Sequence, residues 1–235
     1  MRVVTVSREY GSGGGEVAAR LARRLSWQLV DHEVVVRIAR ELDCSEEEAE
    51  ARDERSEGLV GQILSVMPLV EPAGFVESLG IPGSAAHDYQ EAVRHVVEAA
   101  AATGRVVIVG RGAQFLLADR RDALHVRVVA PVDLRIAYVA HREALDVLAA
   151  RRRIEQKDRD RMRYTQSVHH HHPSEAHLYD LTINTGILDL DAAVDLACLA
   201  LQRKGERLGL PAAELGPAAG LPRYPAKPGD FTAMR

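Results

Sequence analysis

The sequence predicts an α/β fold with three layers, in which helices cover both faces of a five-stranded parallel sheet. Short valine-rich runs alternate with segments whose apolar residues recur at helical spacing, as in a parallel sheet with crossover helices. The run 106–109 is apolar without interruption, which is typical of a strand buried on both faces. The first strand leads into a glycine-rich turn and then into a helical pattern.

The first part of the chain alternates strand and helix. A β-branched run at 3–7 precedes the glycines, and apolar residues then recur at every fourth position from Val17 to Leu25. The short apolar run 28–30 predicts a second strand, and a helical pattern follows at 33–42. A capping box at Ser45 indicates the start of another helix.

Prolines and glycines interrupt the middle of the chain, so we interpret residues 53–90 as an insertion with short helices. Such an insertion either closes over a substrate or is a passive surface elaboration. Beyond it the pattern predicts strands at 106–109, 123–130 and 179–185, and helices at 89–102, 131–150 and 189–203. We therefore predict one domain over 1–205, with the insertion at about 43–90, a lid at about 151–178, and a Pro/Gly/Ala-rich tail at 206–235.

The glycine-rich turn has the surroundings of a phosphate-binding loop. Glycines let backbone N–H groups converge, and the following helix adds unpaired N–H groups and the positive end of its dipole. The loop departs from the Walker A pattern, because Gly14 and Gly15 stand where lysine and Ser/Thr would be. The alternative is a tight turn without a ligand.

Two charged residues follow predicted strands at the edge where open α/β sheets bind ligands. Asp31 ends the second strand, although it could instead cap the next helix. Arg111 lies between two glycines after the run 106–109, where a guanidinium suits a phosphate. A structural ion pair between Arg111 and a carboxylate such as Asp31 is the alternative.

The densest charge lies between residues 151 and 163. Arg152, Glu155, Arg159 and Arg163 share one helical face, which fits either a solvated helix with i,i+4 ion pairs or an arginine-rich lid that closes on polyphosphate. A histidine run at 169–172, with His177, offers zinc or nickel ligands, but its spacing does not favour an ordered metal site.

Composition bears on which partners the protein binds and on where in the cell it works. The net charge of −4 gives no support for a nucleic-acid-binding surface. Cys44 and Cys198 lie far apart without metal-ligand spacing, so we expect reduced thiols of an intracellular protein. The chain enters a strand at once and has no apolar run of membrane-spanning length, so we expect no signal peptide, no membrane partner and a cytoplasmic location.

Four segments together resemble the cytidylate kinase-like family: Val4–Gly14 (VTVSREYGSGG), Val107–Ala113 (VIVGRGA), Asp158–Arg161 (DRDR) and Tyr179–Thr185 (YDLTINT). The resemblance extends over about residues 1–203. It implies a P-loop kinase fold with a helical insertion that binds a nucleoside monophosphate and an arginine-rich lid. It also implies transfer of the γ-phosphoryl group of ATP, with Mg²⁺, to CMP, dCMP or a related nucleotide. The oligomeric state stays open, and a homodimer is compatible with the sequence.

The resemblance also implies roles for individual residues. The ATP phosphates would be held by Gly11, Ser12, Gly13, Gly14 and Gly15. The usual Mg²⁺-binding position has no hydroxyl here, so either Ser12 or Ser7 would be the Mg²⁺ ligand. The acceptor would be held by Asp31, His32, Arg111, Asp160 and Arg163. Because the Walker lysine is absent, Arg8 or one of the lid arginines Arg152, Arg153, Arg159 and Arg161 would have to replace it. We take Arg8, Arg159 and Arg161 as the candidate catalytic residues.

Some positions depart from the family pattern. His32 replaces a serine that contacts the nucleotide, and Gln156 replaces an arginine, so selectivity for cytosine does not follow from the resemblance. Two hypotheses therefore stand. The first is an ATP-dependent nucleotide kinase, which the arginine-rich lid favours. The second is a weak or inactive nucleotide or anion sensor of the same fold, which the missing lysine favours.

Overall fold

The structure, a computed structural model, describes residues 1–31, 85–211 and 214–215. The strands are β1 (Val3–Arg8), β2 (Gln28–Val30), β3 (Val106–Val109), β4 (Ala123–Val129) and β5 (Leu181–Asn184). The α-helices are α1 (Gly14–Leu25), α2 (Ala85–Thr103), α3 (Ala113–Leu116), α4 (Val132–Glu143), α5 (Val147–His169) and α6 (Leu190–Glu206). A 3₁₀ turn at Ala176–Leu178 precedes β5.

The five predicted strands form one parallel sheet of order β2-β3-β1-β4-β5, which confirms the predicted fold class. β1 lies in the centre, where Val4 is opposite Val107 of β3 and Leu124 of β4. All strands end at the same edge of the sheet. Because the glycine turn follows the central strand, it lies at the middle of that edge.

Alternate residues of the central strands enter two separate cores. On one face Val3, Val106 and Ile108 pack with the inward side of α2. On the other face Val4, Val107 and the strands beside them pack with α1 and α6. Burial of each such side chain stabilises the fold by about 1.5–3 kcal/mol. The two cores explain why β1 and β3 are apolar without alternation, and they give the three layers.

The prediction of one helix over 131–150 was wrong. The first helix, α4, ends at Ala144, which adopts a left-handed conformation with φ 52°. Asp146 then caps α5 by accepting a hydrogen bond from the N–H of Ala149 at 2.8 Å. The charged segment therefore belongs to a separate helix that folds back on α4, and this places it beside the edge where the strands end.

The predicted helix at 33–42, the capping box at Ser45 and most of the insertion lie outside the described residues. Toward the C-terminus, α6 continues to Glu206, and Arg121 donates to the carbonyls of Arg207 and Leu210 at 3.2 and 2.6 Å. The remaining tail also lies outside the described residues, so the domain boundaries stay predictions. Among the described helices, none combines the length and apolar character that crossing a membrane requires.

Candidate active site

A cavity of about 510 Å³ opens at the edge where the strands end. Residues of β1, β3 and β4 form its floor, and the start of α3 and one face of α5 form its walls. Five of its charged side chains are cationic and three are carboxylates: Arg8, Arg111, Arg127, Lys157, Arg161, Glu9, Asp158 and Asp160. The excess of cations in a partly enclosed cavity favours an anionic ligand.

Arg8, the last residue of β1, crosses the cavity floor. Its guanidinium lies so close to Gly110 that a Cβ at that position would overlap the Nη1 atom, and Gly110 also has φ +74°. The pKa of Arg8 is lowered to about 9, first by burial and then by the positive charges of Arg161 and Arg111. The charge of Asp31 acts in the opposite direction, which places Asp31 near Arg8. Glycine at 110 thus allows the Arg8 side chain to reach the cavity.

Arg111 is held in an unusual backbone conformation. Its φ is +59°, between Gly110 at +74° and Gly112 at +66°. Left-handed conformations are costly for residues with a Cβ and often occur at functional sites. Burial lowers the pKa of Arg111 below its usual range. The side chain lines the cavity, and its electrostatic interaction with Tyr164 places it near α5.

Arg161 connects α5 to the glycine loop. Its Nη1 atom donates to the carbonyl of Arg8 at 3.0 Å, and its guanidinium lies 5.4 Å from the ring centroid of Tyr10. Burial is the main cause that lowers the pKa of Arg161. Arg8, Arg111 and Arg161 therefore reach one cavity from three different elements.

The glycine loop is a tight turn that leads directly into α1. Gly11 and Gly13 have φ +82° and +74°, and Gly13 is the N-cap of α1. The first helical hydrogen bond runs from the N–H of Val17 to the carbonyl of Gly13, so the N–H groups of residues 14–16 precede it. Ser12 is buried, and its hydroxyl donates toward the carbonyls of Glu9 and Val128 at 2.9 and 3.1 Å. Ser12 thus closes the loop, and its role as a Mg²⁺ ligand stays a prediction.

Steric contacts explain the absence of a lysine at the Walker position. A Cβ at Gly14 would lie 2.5 Å from the Cβ of Arg8 and 3.1 Å from that of Val128. At Gly15 nothing lies within 4 Å of such an atom in the described structure. Position 14 therefore excludes a side chain because Arg8 fills the space, whereas position 15 is open.

A network of ion pairs anchors the loop to α4 and α5. Asp158 accepts from the N–H of Tyr10 at 2.9 Å and also pairs with Arg135. Arg135 donates to the carbonyl of Tyr10 at 3.1 Å, and its Nε lies 3.6 Å from Glu9. Arg127 lies 3.9 Å from the same glutamate. A loop N–H is thus bonded to a carboxylate of the helix interpreted as the lid.

The histidine run packs against the cavity wall. The ring of His169 stacks on Phe115 at 4.5 Å between centroids and touches Gly112 so closely that a Cβ there would overlap it. The ring of His171 also stacks on Phe115, at 5.5 Å between centroids, and pairs with Glu175 at 3.0 Å. In the part of the chain that the structure describes, no group of three ligating side chains could hold a metal. The described contacts of the run are ring stacking on Phe115 and polar contacts with Glu175.

The structure unites only some of the predicted site residues. Arg8, Arg111, Asp160 and Arg161 line the cavity, whereas Arg159 and Arg163 are exposed on α5 and do not line it. Asp160 accepts from Gln156 at 2.8 Å. His32 lies outside the described residues. The roles of all these residues stay predictions.

Sequence reasoning missed several cavity residues. Gln114, Thr165 and the buried Arg127 belong to none of the motifs, and Asp158 belongs to the segment 158–161 but received no predicted role. Arg127 alone had a local signal, since an arginine inside an otherwise apolar strand is unusual.

The order of the sheet, the glycine turn after its central strand and the arginines at its edge define a P-loop kinase fold. The chain belongs to the cytidylate kinase-like family, whose model matches residues 3–187. The cytidylate kinase of Methanopyrus kandleri is 30% identical over 116 residues, which are 46% of this chain and 60% of that protein. The uronate isomerase of Corynebacterium glutamicum is 30% identical over 98 residues, 42% of this chain and 19% of that protein. The matches thus span less than two thirds of either relative.

Solved structures have similar folds. An uncharacterized protein from Eubacterium ventriosum has a TM-score of 0.60 and 21% identity, over 86% of this chain and 99% of that chain. Shikimate kinase from Acinetobacter baumannii has a TM-score of 0.45 and 17% identity, over 88% of this chain and 95% of that chain. The first of these similarities supports the fold alone.

Proposed function

We propose that this protein transfers the γ-phosphoryl group of ATP to a nucleoside monophosphate, with CMP or dCMP as the first candidate acceptor. The observation that carries the proposal is the convergence of Arg8, Arg111 and Arg161 on one cavity beside the glycine loop. Phosphoryl transfer depends mainly on positioning and on cations that stabilise the transferred group. Three guanidinium groups from separate elements meet this requirement.

The electrostatics of the cavity favour a polyanion. Burial and mutual repulsion lower the pKa of Arg8, which means that its charge is poorly compensated by the surrounding protein. A bound phosphate would restore the lost interactions through charge-assisted hydrogen bonds of about 1.5–3 kcal/mol each. The same argument applies to Arg161, whose pKa burial also lowers.

Each residue has a role in the proposed reaction. The N–H groups at the start of α1 hold the ATP phosphates, and Arg111 holds the acceptor phosphate through a two-pronged contact. An oxygen of the acceptor phosphate forms a bond to the γ-phosphorus while the bond to the β-phosphate oxygen breaks, which yields ADP and a nucleoside diphosphate. Arg8 and Arg161, which line the same cavity as Arg111, stabilise the charge that develops on the transferred phosphoryl.

The described residues are better suited to hold the phosphates of ATP than to bind Mg²⁺ directly. The glycine turn provides a phosphate cradle, whereas the nearby carboxylates Glu9 and Asp158 are engaged with Arg135. The Ser12 hydroxyl is buried and donates to carbonyls. The described residues therefore present no prepared metal site, and Mg²⁺ would enter as part of the Mg–ATP substrate.

A nucleotide or anion sensor without chemistry is the second candidate. The observation that favours it is the contact of Gly14 with Arg8, which leaves no room for a Walker lysine. The bond between Asp158 and the Tyr10 N–H also occupies part of the loop. Binding of nucleotides without release of ADP would distinguish this candidate from the kinase.

A coupled ADP-release assay with Mg–ATP and each nucleoside monophosphate tests the proposal. We expect turnover with at least one acceptor, and loss of most of it in Arg8→Ala and Arg161→Ala. Arg152→Ala is the matched control, because Arg152 lies exposed on the same helix as Arg161 and outside the cavity. Absence of ADP release with every acceptor would overturn the kinase proposal, and calorimetric binding of the same nucleotides would then support the sensor.

A further inference from the structure

Two uncharged polar side chains in the cavity have no described partner. Gln114 is 6% exposed and Thr165 is 7% exposed, and both line the cavity. None of the residues that the structure describes hydrogen-bonds to the side chain of either one. The fully enclosed polar atoms that lack a partner in the described structure belong to other residues: His125, Arg135 and His169. The polar ends of Gln114 and Thr165 therefore keep their access to the cavity.

Each of these side chains accompanies a phosphate-directed arginine. Gln114 lies in α3, three residues beyond Arg111 and directly after the left-handed turn. Thr165 lies one helical turn beyond Arg161 in α5, and residues at this spacing share one helix face. A ligand with its phosphate on these arginines would extend its remaining atoms along the walls that hold Gln114 and Thr165.

The chemistry of the two side chains points to a nucleobase or sugar edge. A carboxamide presents a donor beside an acceptor, and a hydroxyl presents both on one atom. Burial of such groups is unfavourable unless a partner satisfies them. Glutamine can form paired hydrogen bonds with a base edge that carries an adjacent donor and acceptor, and cytosine has such an edge in its amino group and ring nitrogen.

We propose that Gln114 and Thr165 are specificity-determining residues, which hydrogen-bond the uncharged polar edge of a nucleoside monophosphate whose phosphate lies on Arg111. This inference rests on the proposed function, because it assigns the acceptor class of the same cavity. It separates recognition into two parts. The arginines bind any phosphate, whereas the carboxamide and hydroxyl select among the groups attached to it.

Calorimetry with CMP, ribose 5-phosphate and inorganic phosphate tests the inference without any need for turnover. Gln114→Leu and Thr165→Val preserve side-chain size and remove hydrogen bonding. We expect each to raise the Kd of CMP about tenfold and to leave the Kd of inorganic phosphate unchanged, whereas Arg111→Ala raises both. Gln166→Leu is the matched control, because Gln166 is a neighbouring carboxamide that is exposed on α5.

The outcomes separate this inference from the kinase proposal. If Gln114→Leu weakens the binding of CMP and of inorganic phosphate equally, or if CMP affinity does not change in either variant, Gln114 and Thr165 do not select the acceptor. A fall in melting temperature without a change in the CMP-to-phosphate affinity ratio would also overturn the inference. If the wild-type protein releases no ADP but the ratio changes as expected, the kinase proposal fails and the inference holds for a sensor.

Discussion

Adjacent glycines at the start of α1 provide a matched test of why the loop lacks a lysine. In Gly14→Ala the new Cβ would lie 2.5 Å from the Cβ of Arg8. The backbone of α1 and of β1 fixes the positions of these two atoms, so a change of rotamer cannot relieve the overlap. Overpacking of this kind costs about 1–3 kcal/mol. In Gly15→Ala the new Cβ meets nothing within 4 Å in the described structure. Alanine also reduces the conformational freedom of the unfolded chain, which stabilises the folded protein by about 0.4–1 kcal/mol.

Thermal unfolding followed by circular dichroism measures both effects. For a protein of this size, a change of 1 kcal/mol in the free energy of unfolding shifts the melting temperature by about 2–4 °C. We therefore expect Gly14→Ala to lower the melting temperature by about 2–12 °C and Gly15→Ala to raise it by about 1–4 °C. A Gly14→Ala protein that melts at or above the wild-type temperature, or two variants whose melting temperatures shift in the same direction by similar amounts, would show that Arg8 does not exclude a side chain at position 14.

Lysine substitutions extend the same comparison to ligand binding. Gly15→Lys should fold and bind ATP about ten- to a hundredfold more tightly, because one charge-assisted hydrogen bond to phosphate contributes about 1.5–3 kcal/mol. Gly14→Lys should lose stability without a gain in affinity, since its side chain would start inside the contact with Arg8. Equal ATP affinity in the wild type and Gly15→Lys, measured by calorimetry, would show that position 15 does not face the ATP phosphates.

Three further predictions concern the cavity and its helix. Arg111→Ala should raise the acceptor Kd about ten- to a hundredfold and leave ATP affinity nearly unchanged, and Arg111→Lys should recover only part of the loss, because the two-pronged contact is gone. Asp158→Asn removes the charge that pairs with Arg135 and weakens the hold on the Tyr10 N–H, so hydrogen exchange in α5 should quicken and ATP should bind more tightly. Burial, followed by the charges of His171 and His170, lowers the pKa of His169 below the ordinary histidine value of about 6.5. The unfolded state then binds the proton more readily, so stability should fall as the pH drops below about 6.5, and His169→Phe should reduce this fall.

Each of these three predictions has an outcome that contradicts it. An Arg111→Ala protein that loses stability and both affinities together would indicate a structural ion pair. Unchanged hydrogen exchange in Asp158→Asn would mean that this carboxylate does not restrain α5. A pH dependence of unfolding that is identical in the wild type, in His169→Phe and in the exposed control His141→Gln would remove His169 as its source.

Local patterns in the sequence determined the strands, the glycine turn and the family. The run 106–109 and the run at 3–7 have few alternatives to buried strands, and the structure places both in the centre of the sheet. Arg111 was also accessible to sequence reasoning, because it directly follows a strand whose end must lie at the ligand edge. Such inferences succeed when the information is contained within about ten neighbouring residues.

Tertiary packing decided the rest of the candidate site. The end of α4 at Ala144 follows from a single left-handed residue, which no composition signal marks, since alanine is the best helix former. Gly14 and Gly110 both make room for the side chain of Arg8. Gly110 lies about a hundred positions from Arg8 in the sequence, so no local pattern reveals this contact. Gln114 and Thr165 become candidate ligand-binding residues only because α3 and α5 form the walls of one cavity. A polar side chain is unremarkable in a sequence, and the partners that surround it after folding determine whether it requires a ligand.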